Sequence, residues 1–371
     1  MASIFQAVLL AVSSCNLCSA SNRSQIFRDI INVMDPDVAP FESTKSSITV
    51  GVDIALLGIF EVNEKQKIMS GSYAMFVSWK DDRMMWDPSS YQNISSVQVK
   101  AKKIWMPTSL CILNEIGNEN CISDDKGIVT VYSGGYVTNK LFKENTVRCG
   151  IDVTKYPFDS QTCSLQFINI NVGTEYLTFE EEYSHFYLQN YEKNEVWDIV
   201  ATTKSILEIG SPTGIQEVLT FRMVLQRKSF YAVTSTLLPV NILSVINLFC
   251  FLLPIESGEK MSFCMAIFLT FAVFLTIIND SMPQSSDKVP YFTIYLITQL
   301  VVSGLTVVLE ATVLLVHFHS KTTTESSQRN VQPTDKMKKF KVTSVLLDKT
   351  FFLFICAIDT FSVLYYTMNV C

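Results

Sequence analysis

Four long segments without charged residues lie in the second half of the chain, and they restrict its fold more than any other feature. No Asp, Glu, Lys or Arg occurs in 229–255, 261–279 or 289–309, and 350–371 contains only Asp359. About 20 apolar residues in a helix cross the hydrocarbon core of a bilayer. Four such segments are not expected of one soluble core, so we predict four membrane-spanning helices.

The distribution of basic residues predicts the orientation of these spans. The segment between His319 and Val345 contains six Lys or Arg but only two acidic residues, and such an excess of basic residues favours the cytoplasmic side. The chain ends and the segment between the second and third spans then lie outside. An apolar stretch before Cys18-Ser19-Ala20 predicts a cleaved signal peptide. The predicted organisation is a signal peptide (1–20), an extracellular domain (21–228), three spans (229–318), a short cytoplasmic loop (319–345) and a fourth span (346–371).

The extracellular segment alternates apolar and polar residues in short runs, such as 48–52 and 221–225, that polar, Gly- or Pro-containing turns separate. This pattern favours an all-β, immunoglobulin-like sandwich. Residues 24–33 have apolar positions at helical spacing and predict a short N-terminal helix. The predicted fold is therefore a β-sandwich with an N-terminal helix, followed by an all-α bundle of four transmembrane helices.

Composition and motifs exclude several classes of function. The 29 basic and 35 acidic residues give a net charge of −6, so a nucleic-acid partner is not expected. No serine-hydrolase, zinc-protease or phosphate-binding glycine motif occurs, so we expect neither an enzyme nor a cofactor. His317 and His319 lack further Cys or acidic ligands nearby, and no metal site is predicted.

The cysteines and sequons of the outer domain fit an oxidising compartment. Disulfides between Cys149 and Cys163 and between Cys111 and Cys121 are plausible there, although the sequence leaves the second pair open. Asn22 and Asn93 begin N-x-S sequons and are predicted glycosylation sites.

One face of the second span carries small, hydroxyl and aliphatic side chains between two carboxylates. Every Phe of the segment lies off this face. Such segregation suits a helix that lines a narrow water path, although a small-residue face that packs against another helix is the alternative. The predicted pore-lining residues are Glu259, Ser262, Ala266, Leu269, Val273, Thr276 and Asp280.

The segment from Cys149 to Cys163 resembles the signature of the Cys-loop pentameric ligand-gated ion channels, with thirteen intervening residues and a Tyr-Pro-Phe-Asp tip at 156–159. Further matches to the nicotinic acetylcholine receptor branch are 79–88, 105–107 and 257–260. The resemblance extends over nearly the whole chain after the predicted signal peptide. It implies a pentamer in the plasma membrane, with four further identical or homologous subunits and surrounding lipid.

The resemblance also implies roles for the pore residues. Rings of Glu259 and Asp280 would select inorganic cations as the permeant species, and the anion-selective members' Pro-Ala insertion is absent at 257–259. Leu269 and Val273 would form apolar rings that close the pathway by dewetting.

Two further regions follow from the resemblance. For coupling it implies an ion pair between Arg227 and Glu64 that differs between resting and open states, with a solvated surface contact as the alternative. The tip residues Tyr156, Pro157 and Phe158 would contact the outer linker at Pro283. The positions of the family's aromatic ammonium cage are Ala74, Ile112, Ile170, Glu208 and Gln216.

None of these five cage residues is aromatic, so we expect an unidentified small-molecule ligand or stimulus rather than acetylcholine or a similar amine. The alternative is a non-conducting partner subunit that works only in heteropentamers. A multi-pass transporter fits four spans and a large outer sandwich poorly. The intramembrane carboxylates Glu310 and Asp359 are either functional or structural polar contacts.

Overall fold

The computed structural model describes residues 23–40, 47–117, 121–122, 127–170, 176–211, 214–255, 258–281, 289–325 and 335–370. Residues 23–29 form a helix, and eleven strands follow it. The strands are β1 (Ser47–Asn63), β2 (Ile68–Met85), β3 (Ser96–Lys100), β4 (Leu110–Ile112), β5 (Ile128–Tyr132), β6 (Gly134–Gly150), β7 (Ser160–Asn169), β8 (Tyr176–Phe179), β9 (Phe186–Tyr187), β10 (Trp197–Ser211) and β11 (Gly214–Arg227).

The strands form two sheets that face each other across one core. One sheet contains β1, β2, β3, β5, β6, β8 and β9, and the other contains β4, β7, β10 and β11. Strand β6 connects them, because it pairs with β2 along its length and with β7 only at its end, at Cys149 and Gly150. The predicted β-sandwich with an N-terminal helix is therefore confirmed.

Alternating side chains of the strands fill the space between the sheets. In β7 every second residue from Gln161 is buried, including Cys163, Leu165 and Phe167. The Phe167 ring meets Phe221 of β11 edge-on, with ring centroids 5.9 Å apart. Period-two burial of this kind explains why the sequence pattern predicted strands here.

Among the described residues, four helices that are long and apolar enough to cross a membrane follow the sandwich. The apolar spans are Ser229–Leu252, Lys260–Asp280, Tyr291–Phe318 and Leu346–Val370. The second, third and fourth belong to the helices Lys260–Ser281, Tyr291–Glu325 and Asp335–Val370. The predicted cytoplasmic loop 319–345 is therefore partly helical, and its residues 326–334 lie outside the described part of the chain.

The sandwich sits on the bundle through the loop between Cys149 and Cys163. Val153 of this loop is buried in the same apolar cluster as Phe292 of the third span and Tyr366 of the fourth. The Tyr366 hydroxyl donates to the backbone oxygen of Tyr156 at 3.2 Å. The far end of the fourth span therefore lies on the side of the extracellular domain, as the predicted topology requires.

Candidate ion pathway and coupling site

The second span presents two opposite faces that differ in burial. The face towards the bundle is buried at Cys264, Ile267, Phe271 and Ile278, which recur at helical spacing. On the opposite face all seven predicted pore residues are exposed in the single subunit. Leu269 and Val273 remain more than half exposed although they are apolar. The apolar side chains of this face are therefore not packed away from solvent within the described residues of the chain.

The two carboxylates lie at opposite ends of this exposed face. Glu259 precedes the helix, and its backbone oxygen accepts a hydrogen bond from the N–H of Phe263 at 3.0 Å. Asp280 is exposed at the other end, and Lys65 of the β1–β2 turn donates to its backbone oxygen at 3.2 Å. Both carboxylates are exposed, so neither is buried by packing against the rest of the chain.

A group of charged residues lies where the sandwich meets the membrane bundle. Arg227, the last residue of β11, donates to Asp159 through Nε at 2.7 Å and Nη2 at 3.1 Å, and to Glu64 through Nη2 at 2.6 Å. The Arg227 and Asp159 side chains are only 8% and 1% exposed, whereas that of Glu64 is 23% exposed. The planar guanidinium can donate several hydrogen bonds to carboxylates in this geometry. Arg227 therefore connects the end of β11 with the loop between Cys149 and Cys163 and with the β1–β2 turn.

Two aromatic rings pack against the same guanidinium. Its central carbon lies 4.2 Å from the ring centroid of Trp197 and 5.1 Å from that of Tyr156. Burial by itself would lower the pKa of Arg227, but the hydrogen bonds and charges of Asp159 and Glu64 raise that pKa above its ordinary value. Arg227 is therefore a permanently charged centre of the junction.

The tip of the loop connects this junction to the spans. The Tyr156 ring lies 5.9 Å from that of Phe292, at the start of the third span. The N–H of Tyr291 donates to the backbone oxygen of Thr154 at 3.0 Å. A displacement of β11 or the loop would therefore reach the third and fourth spans through direct contacts.

Comparison with known families agrees with this architecture. Residues 23–229 match the model of the neurotransmitter-gated ion-channel ligand binding domain. Residues 236–345 match that of the neurotransmitter-gated ion-channel transmembrane region. The chain belongs to the neurotransmitter-gated ion-channel family. It is therefore not expected to be an enzyme, and the predicted Cys-loop relationship is confirmed.

Several acetylcholine receptor subunits are similar to this chain. The beta subunit of Xenopus laevis is 28% identical over 304 residues, which are 77% of this chain and 60% of the relative. The beta subunit of Rattus norvegicus is 25% identical over 312 residues (80% and 62%), and the human neuronal alpha-6 subunit is 25% identical over 313 residues (83% and 62%). The chain thus spans about three-fifths of the length of the curated relatives it matches. Members of the family are pentameric plasma-membrane channels.

Within this chain, the five predicted ligand positions do not form one surface. Ile112 is buried in the core between the sheets and Ala74 is covered on the outer face of its sheet, whereas Ile170 and Glu208 are exposed. Glu208 pairs with Glu217, and Gln216 pairs with Ile209. Because neighbouring residues of a strand point to opposite faces, Glu208 and Gln216 lie on opposite faces of the β10–β11 hairpin.

The sheet face that carries Ala74 holds a cation of the protein itself. Ala74 pairs with Phe142, and Phe76 pairs with Lys140, so all four share one face of β2 and β6. Lys140 Nζ lies 5.1 Å from both phenyl ring centroids. Lys140 therefore already makes cation–π contacts with both phenyl rings beside Ala74.

The structure describes most of the remaining residues predicted for disulfides, glycosylation and coupling. Both predicted cysteine pairs are disulfide-bonded in the structure. Asn93 is exposed in a turn, as a glycosylation site requires, and Phe158 is partly exposed at the loop tip beside Pro157. The signal peptide, Asn22 and Pro283 lie outside the described residues, so contact between the tip and the outer linker stays a prediction.

Sequence reasoning missed two residues of the junction, Asp159 and Trp197. Asp159 belongs to the loop motif that was recognised, but its buried position beside Arg227 depends on how β7 and β11 pair. The available signal in the sequence is the carboxylate at the end of the Tyr-Pro-Phe-Asp tip. Trp197, the first residue of β10, pairs with Arg227 in the strand register, which only the fold reveals.

Proposed function

We propose that this chain is a subunit of a pentameric cation-selective channel that an extracellular ligand or stimulus other than acetylcholine opens. The observation that carries the proposal is the exposed face of the second span, which runs from Glu259 through Leu269 and Val273 to Asp280. Five such faces around an axis would enclose a path with a carboxylate ring at each mouth. Rings of carboxylates concentrate cations, and apolar rings between them close a narrow path by dewetting.

Two observations support a ligand other than an amine. The predicted cage positions carry no aromatic residue, and one of them, Ile112, is buried in the core of the sandwich. Lys140 already makes cation–π contacts with Phe76 and Phe142 beside Ala74. An ammonium ligand on this face would meet the like charge of Lys140, so its binding is disfavoured.

A non-conducting partner subunit is the second candidate. The same missing cage favours it, because a chain without a working ligand site can still contribute one wall of a pore in a heteropentamer. The two candidates differ in what the chain does alone: a homopentameric channel conducts, whereas an obligate partner does not.

Expression of Leu269→Ser alone tests the proposal without a ligand. A hydroxyl at the centre of the proposed constriction should wet it and hold the channel open, so we expect a standing current whose reversal follows the cation gradient in asymmetric NaCl. Leu364→Ser, at an exposed leucine of the fourth span, is the matched control and should give no current.

Surface labelling and sizing in detergent complete this experiment. No current from Leu269→Ser, with a pentamer confirmed at the cell surface, would contradict the channel proposal. A protein that reaches the surface only with a related subunit would favour the partner candidate instead.

A further inference from the structure

A lysine is buried at the start of the second span, directly beside the proposed selectivity residue. Lys260 follows Glu259 in the chain and is the first residue of the helix. Its side chain points into the bundle and is 1% exposed. A cation at a helix N-terminus opposes the helix dipole, and burying it is costly unless it is paired.

Two carboxylates from two other spans pair with this lysine. Lys260 Nζ lies 2.7 Å from Oε2 of Glu310, which belongs to the third span and is fully buried. The same Nζ donates to both carboxylate oxygens of Asp348, at 3.1 Å each, from the fourth span. Three of the four spans therefore meet in one ionic cluster immediately behind the proposed cytoplasmic mouth.

The charges of this cluster alter the electrostatics of the mouth. Glu259 and Lys260 alone would cancel, leaving the mouth of each subunit without net charge. With Glu310 and Asp348 ionised, the cluster itself carries one net negative charge, which adds to that of Glu259. A fixed charge next to a narrow path attracts one sign of ion and repels the other.

We propose that Glu310 is a positioning residue for ion selectivity, which acts through Lys260 rather than by lining the pore. It holds the ammonium group in the bundle, away from the path, and offsets its charge, so that the Glu259 ring keeps its full effect on cations. This inference rests on the proposed channel function and assigns one of the two intramembrane carboxylates that the sequence left open.

The other intramembrane carboxylate provides a natural comparison. Asp359 is also nearly buried, but it accepts hydrogen bonds from Ser244, from Gln299 Nε2 at 2.7 Å and from no lysine or arginine among the described residues. It ties the first, third and fourth spans together without balancing a charge. A substitution there removes a buried carboxylate while leaving Lys260 and its partners intact.

The experiment compares four variants in the constitutively open Leu269→Ser channel, with the cation-to-anion permeability ratio from reversal potentials in NaCl gradients as the readout. Glu310→Gln should lower this ratio by about threefold to tenfold, because the charge change acts with opposite sign on cations and anions. Glu310→Asp should preserve the ratio. The double variant Lys260→Gln/Glu310→Gln should restore it, since the cluster returns to one net negative charge. Asp359→Asn should leave it unchanged.

The outcomes separate this inference from the function on which it rests. An unchanged ratio in Glu310→Gln, or a double variant as impaired as the single one, would overturn the role of Glu310 while the channel stands. Equal effects of Glu310→Gln and Asp359→Asn would indicate a purely structural role and also overturn it. If Leu269→Ser itself carries no current, the channel proposal fails and this inference with it. If Glu310→Gln does not reach the surface but the double variant does and keeps the parent ratio, Glu310 is needed because of the charge of Lys260, as proposed. A double variant with a lowered ratio would overturn the inference.

Discussion

Replacing Arg227 with glutamine should destabilise the protein by about 3–5 kcal/mol, the usual cost of removing one partner from a buried ion pair. Asp159 is almost fully buried and would lose both of its guanidinium hydrogen bonds. Trp197 and Tyr156 would lose the cation that packs between them and the carboxylates. Glutamine is shorter and uncharged, so it replaces neither set of contacts.

Thermal unfolding of the purified protein in detergent measures this effect. A loss of this size corresponds to a decrease of roughly 10 °C in the midpoint for a domain of about 200 residues. Arg222→Gln is the matched control, because Arg222 lies exposed on the same strand and should shift the midpoint little. Arg227→Lys should fall between them, since an ammonium cannot reproduce the forked contact. A midpoint for Arg227→Gln equal to that of Arg222→Gln would contradict this account of the junction.

Removing the disulfide between Cys149 and Cys163 should cost about 3 kcal/mol in the chain-entropy model, within the usual range of about 2–5 kcal/mol. The two cysteines are buried at the one place where β6 pairs with β7, so the bond joins the two sheets directly. It also closes the loop whose tip contacts the third and fourth spans. The double variant Cys149→Ser/Cys163→Ser should therefore unfold at lower temperature and reach the cell surface poorly.

Two control variants test whether the effect is specific to the disulfide between Cys149 and Cys163. Cys356→Ser removes a free cysteine of the fourth span and should have little effect. The double variant Cys111→Ser/Cys121→Ser removes a disulfide that closes a shorter loop and has one partly exposed cysteine. It should therefore lower the free energy of unfolding by less. If the Cys149 and Cys163 variant is as stable as Cys356→Ser, the loop disulfide does not hold the sheets together.

The spans and the exposed face of the second span could be predicted because both depend on local pattern. A run of about 20 apolar residues without charge is long enough to cross a membrane as a helix, and few other structures accommodate it. One face of a helix is formed by residues three and four apart in the sequence. The strands were similarly visible in short alternating runs such as 221–225. These signals need no information about which elements become neighbours.

The ionic clusters could not be predicted in the same way. Asp159 and Arg227 are brought together by the pairing of β7 with β11, and Lys260 meets Glu310 and Asp348 only when three helices pack. The pair of Arg227 with Glu64 follows from the family resemblance, but for the other residues the sequence shows the charge and not the partner. The positions of Glu208 and Gln216 on opposite hairpin faces depend likewise on strand register.

The most direct test of a cation-selective pore in this chain is the reversal potential of the Leu269→Ser channel with and without Glu259→Ala. The account predicts that the channel with Glu259 reverses near the cation potential in asymmetric NaCl. Removing the five carboxylates at the cytoplasmic mouth should move that reversal towards the chloride potential. A reversal potential that does not move when Glu259 becomes alanine would contradict the assignment of this face as the selective pathway.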